Sequence, residues 1–173
     1  MILPYKGMSP KIHPTVFVAP GADIIGDVTV GEESSIWFGV IIRGDVHHIR
    51  IGARTNVQDG SLLHVTKGTH PLILMDGVTV GHGVTLHGCT IHSNTLIGIG
   101  SIILDGAEIS ENTLIGAGSL VTEGTHIPSG VLAFGRPAKA VRDLTDKEIA
   151  WFRRSAANYV AYKEDYLPPK REQ

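Results

Sequence analysis

The feature that most constrains this chain is an apolar residue at every sixth position. The series runs Val18, Ile24, Val30, Ile36 and Ile42, resumes at Ile51, Val57 and Leu63, and resumes again at Val80 and Leu86. After a five-residue step to Ile91 it continues through Ile97, Ile103, Ile109, Ile115, Val121 and Ile127 to Ala133. This period is neither the 3.6 of a helix nor the 2 of an alternating strand. A hexad is one short strand plus one tight turn. Three hexads close a triangular coil, and coils stack with a spacing of about 4.8 Å. The repeated aliphatic points inward, and Gly, Asn, Asp and Ser serve the corners. Val and Ile, which suit a buried pleated surface, dominate the inward positions. The expected fold is mainly β: a left-handed parallel β-helix of hexapeptide repeats.

The register breaks at Arg43 to Arg50 and again at Thr66 to Ile73. Loops that leave a regular solenoid are favoured places for function. Near the end the pattern changes. Thr145-Asp146-Lys147-Glu148 reads as a capping box, and Ile149, Phe152, Ala156, Tyr159 and Val160 keep helical spacing. A C-terminal α-helix is expected from about Asp146 to Asp165, stopped by Pro168-Pro169, with Gly135-Arg136-Pro137-Ala138 as connector. Residues 1–140 are then the β-helix domain and 141–173 a helix and tail packed on it.

Charge and cysteine content narrow the function. With 15 Lys+Arg against 17 Asp+Glu there is no broad cationic field, so no nucleic-acid partner is expected. The single cysteine, Cys89, cannot form an intrachain disulfide and suits a reducing compartment. Met1 to Lys11 lacks a signal-peptide pattern, and no apolar run is long enough to span a bilayer. The expectation is a soluble cytoplasmic protein without membrane attachment.

Three of the 9 histidines sit within or beside hexads: His64, His82 and His87. Three neutral imidazoles with a fourth position left for water are the catalytic zinc pattern. Gly81, Gly83 and Gly88 leave room for close backbone approach. On one triangular prism His82 and His87 fall near different walls, so a threefold assembly is the natural way to bring them together. Spacing alone leaves two readings open: a metal set, or glycine-rich turns that tolerate histidine. For His13, His47, His48, His70, His92 and His126, exposure or turn tolerance is the simpler reading.

Together with the coils, Arg43-Gly44-Asp45, Asn56-Val57-Gln58-Asp59, His64 and Gly81-His82-Gly83-Val84-Thr85-Leu86-His87 resemble the γ-class carbonic anhydrase family. Gly135-Arg136-Pro137-Ala138-Lys139 before a capped helix is similar too, and the match covers nearly the whole chain. The resemblance implies a homotrimer that hydrates carbon dioxide reversibly to bicarbonate, with metal sites between subunits. In it His64 and His87 come from one chain and His82 from its neighbour. The metal is usually Zn2+, with Fe2+ or Co2+ as substitutes. Arg43 and Asp59 match an ion pair across the interface. Asp45 and Gln58 match positions near the reacting solvent, and Gln58 would orient hydroxide or bicarbonate. Asn56 belongs to the same motif or only serves a corner, and Tyr159 matches a helix tyrosine that points to the pocket.

Three positions depart from the family pattern. Val46 and Lys67 stand where the archetype has glutamates linked to proton transfer, and Ala161 replaces an asparagine. These departures put fast turnover in doubt and leave His47, His48 or His70 as alternative proton carriers. They also keep other functions open: a metal-dependent hydrolase or thioesterase, a hexapeptide acyltransferase, or a catalytically weak trimeric scaffold.

Overall fold

The computed structural model describes residues 1–167. The hexads form a left-handed parallel β-helix with three walls. The first wall is an 8-stranded sheet containing Phe17–Val18, Ser35–Ile36, Asn56–Val57, Thr79–Val80, Leu96–Ile97, Leu114–Ile115 and Val131–Gly135. The second contains Leu62–His64, Thr85–His87, Ile102–Ile103 and Leu120–Val121; the third contains Leu72–Leu74, Thr90–Ile91, Glu108–Ile109 and His126–Ile127. Strands Asp23–Val30 and Ile41–Ile51 run round the corner between these two walls and join them into one 12-stranded sheet.

The inward positions are those of the six-residue period. Ile24, Ile36, Ile42, Val57, Leu63, Val80, Leu86, Ile97, Ile103, Ile115, Val121 and Ala133 have no or almost no exposure. Each such Val, Leu or Ile contributes about 1.5–3 kcal/mol relative to an exposed one. In the upper coils each residue pairs with the one three hexads on, as Leu96 with Leu114 and Ile102 with Leu120. Both register breaks, and the short step from Leu86 to Ile91, fall between the second and third walls. The chain changes length at that one edge and keeps its stack everywhere else.

The ends are closed differently. At the bottom, Ile2–Leu3 and Lys11–Ile12 pair with Asp23–Val30. At the top, Val131–Gly135 pairs antiparallel with Ala138–Asp143. The segment read from sequence as a connector, 135–138, is therefore the turn of a hairpin that the parallel period does not announce. With no further coil to stack, the chain folds back and covers its own open edge.

The C-terminal helix, Asp146–Tyr162, carries the expected capping box: Glu148 N–H donates to the Thr145 side chain, and Thr145 N–H donates to the Glu148 carboxylate. Phe152 and Ala156 are its buried residues, and it lies along the first wall. The helix becomes a 3-10 turn over Lys163–Tyr166, inside the span expected as one helix. The turn is pinned by Lys163, fully buried, whose Nζ donates to the Thr15 carbonyl at 2.6 Å and lies 3.1 Å from Glu33 Oε2. The Lys163 bond holds the Glu33 carboxyl below its ordinary range, against the opposing effect of burial. The Pro168-Pro169 stop lies outside the described residues. No described helix is long and apolar enough to cross a membrane.

Candidate metal centre

Four consecutive coils place a column of polar side chains at the edge between the second and third walls. His64 and His87 end their strands in register, one coil apart. Their facing nitrogens, His64 Nδ1 and His87 Nε2, are 3.0 Å apart. The outer nitrogen of each ring meets a carboxylate. Asp45, one coil below, lies with Oδ1 3.0 Å from His64 Nε2, and Asp105, one coil above, lies with Oδ1 2.6 Å from His87 Nδ1. Each carboxylate is held in turn: Arg43 Nη1 donates to Asp45 Oδ2, and Thr66 Oγ1 donates to Asp105 Oδ2.

This order fixes the protons. A carboxylate accepts from the outer nitrogen of each neutral ring, so both inner nitrogens present lone pairs to each other. Two lone pairs at 3.0 Å need a proton or a cation between them. Burial, with the charges of Arg43 and His87, holds the His64 imidazole below its ordinary 6.5 against the pull of Asp45. A cation fits. Two imidazole nitrogens on one tetrahedral zinc, with bonds of about 2.0–2.1 Å, sit about 3.3 Å apart. Burial raises the Asp45 carboxyl, but the bonds from His64 and Arg43 prevail and hold it below its ordinary value. At Asp105 burial is likewise overcome by Thr66 and His87. Gly88 makes the column possible, because a Cβ there would collide with Asp105 Oδ1 and the His70 Cβ. Gly83 has open space around it; its demand for glycine is its φ of +62° rather than close approach.

His82 stands at the other edge of the second wall, in the turn between Val80 and Thr85. Its Nδ1 is 2.8 Å from Asp59 Oδ2, one coil below, and both side chains are about half exposed. Among the described residues no three His, Cys, Asp or Glu side chains surround one point. The three histidines thus form a pair and a single residue within one chain, as the two-wall placement requires.

The other candidate residues divide between these edges. Arg43 pairs with Asp45 and Asp59 with His82, so Arg43 and Asp59 do not meet within the chain. Buried Gln58 donates to Asn56 Oδ1 at 3.1 Å, and Asn56 donates to Thr79 Oγ1 at 2.9 Å on the outer face of the first wall. Tyr159 borders the same cavity as His82 and Asp59. Burial, then the Asp59 charge, pushes its phenol up.

The same fold recurs in known proteins. A family model described as "Bacterial transferase hexapeptide (six repeats)" matches residues 88–123. The carbonic anhydrase of Geobacillus kaustophilus is 53% identical, covering 96% of this chain and 91% of that protein. The mitochondrial gamma carbonic anhydrase 1 of Arabidopsis thaliana is 47% identical over 87% of this chain and 57% of that protein. This chain belongs to the γ-carbonic anhydrase-like family. The crystal structure of a hexapeptide transferase family protein from Anaplasma phagocytophilum is 42% identical, with a TM-score of 0.93 over 96% of this chain and 98% of that one. Names within this γ-carbonic anhydrase-like group thus span two chemistries.

Sequence reasoning did not single out Asp105 or Thr66. Asp105 precedes Gly106 and reads as an ordinary corner residue. Its signal was present all the same: it lies one regular coil, three hexads, beyond His87.

Proposed function

We propose that the chain forms a homotrimer whose interfaces carry a metal centre made of His64 and His87 from one chain and His82 from its neighbour, and that it hydrates carbon dioxide reversibly to bicarbonate. The observation that carries this reading is the pair of facing imidazole nitrogens 3.0 Å apart, each ring met on its outer nitrogen by a carboxylate, Asp45 or Asp105. Trimer formation is supported by the outer face of the second wall, between the two histidine edges. There Ile41, Leu62, Thr85, Ile102 and Leu120 stack in register, and Ile41 and Leu62 are each 40% exposed. A contiguous apolar stripe of this kind marks an interface.

A divalent ion such as Zn2+, with Fe2+ or Co2+ as substitutes, would lower the pKa of water from about 15.7 to near 7 and so supply hydroxide at neutral pH. The chain's own groups do the rest. Asp45 and Asp105, each on the outer nitrogen of one ring, fix the tautomer and aim the inner nitrogens at the metal position. Gln58, already oriented by Asn56, offers an amide to orient bicarbonate oxygens. Tyr159 stands beside His82 as a polar wall of the pocket. Arg43 reaches Asp59 of the adjoining chain across the interface. Proton exit does not use Val46 or Lys67. His47 and His48, with Nδ1 atoms 3.1 Å apart, share a cleft with Asp45 and are placed to carry the proton outward. A cytoplasmic location agrees with one buried, unpaired cysteine.

Stopped-flow hydration by the zinc- and cobalt-loaded trimer is the test. Turnover that vanishes in His87→Ala supports the proposal, and a fully metallated trimer no faster than buffer sinks it.

One observation favours a second reading, hydrolysis of an activated acyl group such as a thioester. A cavity of about 500 Å³ between the first wall and the helix is lined by Leu96, Ile99, Leu114, Trp151 and, at one end, Gln58 and Tyr159. An acyl chain fits such a slot, whereas carbon dioxide needs none. Acyl-CoA thioesters of increasing length, offered to the loaded trimer, separate the two reactions.

A further inference from the structure

The cavity of about 490 Å³ that His82, Asp59 and Tyr159 border has an aromatic lining that hydration of carbon dioxide does not explain. Five aromatic rings line it: Trp37, Phe38, Tyr159, Tyr162 and Tyr166. They stand as crossing walls. Trp37 meets Tyr166 at 90° with centroids 5.3 Å apart, and Tyr159 at 80° and 5.6 Å; Phe38 meets Tyr166 at 62° and 5.8 Å. Tyr162 and Tyr166 leave half or more of their surface to solvent. Among the described residues the remaining lining is His82 and two carboxylates, Asp59 and Asp165, with no Lys or Arg. Asp59 uses Oδ2 for His82, and Asp165 makes no ion pair among the described residues.

We propose that this bowl binds an organic cation, an alkylated ammonium group. Ring faces carry negative charge density and attract a cation placed over them, and ammonium groups bearing methyls also bury those methyls against the rings. The two carboxylates add the matching charge and repel an anion. A plain alkyl chain would gain nothing from Asp59 and Asp165, and a phosphate or carboxylate ligand would be opposed by them. The bowl is built in advance. Trp37 is fixed by an indole hydrogen bond to Ser35 Oγ at 3.0 Å, and the segment carrying Tyr162, Asp165 and Tyr166 is pinned by buried Lys163. A preformed pocket spends less of its binding energy on ordering side chains. In the proposed trimer Arg43 of a neighbouring chain reaches Asp59, which leaves Asp165 and the rings to recognise the ligand at the mouth of the metal centre.

The test is a titration of choline, and of its neutral isostere 3,3-dimethylbutan-1-ol, at constant ionic strength. It uses a Trp151→Phe protein so that Trp37 alone reports by fluorescence. Choline should quench saturably, and the isostere should bind about tenfold more weakly. Tyr166→Ala should abolish saturation, Tyr166→Phe should preserve it, and Asp165→Asn should weaken choline several-fold; circular dichroism and gel filtration check that each variant is folded. Equal binding of the isostere, or no saturation, overturns the proposal. Binding that appears only after Arg43→Ala also overturns it, because the bowl would then be the seat of a neighbouring guanidinium. The readout needs no metal and is made on the apo protein, so failure of the hydration reading leaves this result standing on its own.

Discussion

The two edges of the second wall present histidine in opposite settings. At one edge His64 and His87 are partly buried, stacked in register and locked by Asp45 and Asp105. At the other, His82 is half exposed and held only by Asp59, itself exposed. In the proposed centre the first edge would supply two ligands already held in place. The second would supply a single ligand, turned outward and available to a neighbouring chain. The difference teaches that residues at two corners of one triangular prism do not converge within a chain, so the proposed centre needs a rigid half from one chain and a donated half from another.

The largest expected effect breaks the locked edge itself. His87→Ala should reduce metal content from about one ion per chain to a small fraction of that, read by elemental analysis. Mixing His82→Ala with His64→Ala chains, under conditions where subunits exchange, should restore about a quarter of the sites, because each intact site needs one half from each variant. No restoration despite exchange would erase the distinction between the edges.

Next in size, Asp105→Asn should weaken zinc about 10–100-fold, measured by chelator competition, because the His87 tautomer is no longer fixed. Asp59→Asn should cost less than that. A larger loss at Asp59 would reverse the comparison.

The helix supports the open edge through Tyr159, and Lys163→Met should loosen it. We expect about 1–3 kcal/mol of lost stability in urea unfolding, as for a lost hydrogen bond to a charged group. Amide exchange should rise over 146–162 and stay unchanged at Leu63 and Leu86. The smallest effect is electrostatic. Arg142, then Thr145, hold the Glu148 carboxyl down at about 2, against an ordinary 4.5. A lowered carboxyl adds stability that is complete above its ordinary value and is lost as pH falls towards the lowered one. Glu148→Gln should therefore lower the melting temperature slightly at pH 7, with the gap closing between pH 4.5 and about 2. Asp45 and Asp105 follow the same sign below their ordinary 3.8.

Most of the fold was legible because one constraint, a dry prism interior, repeats at every sixth residue. Ile97, Ile103 and Ile109 announce three walls with no help from context. What did not repeat could not be read. The antiparallel return of Ala138–Asp143 depends on there being no coil above it. The histidines were visible as residues, but their partners were not, because Asp105 meets His87 only through the stacking distance. Thr66 reaches Asp105 from a loop, where no period applies.

The edge between the second and third walls has a consequence for how such proteins change over generations. Coils there are longer at 43–50 and 66–73 and one residue short after Leu86, yet the walls on either side keep their pairing. Insertions and deletions at that corner are nearly silent for folding. They fall beside Asp45, His64 and His87, the residues of the proposed centre. Loop length at this one corner can therefore vary while the scaffold passes on its pairing intact.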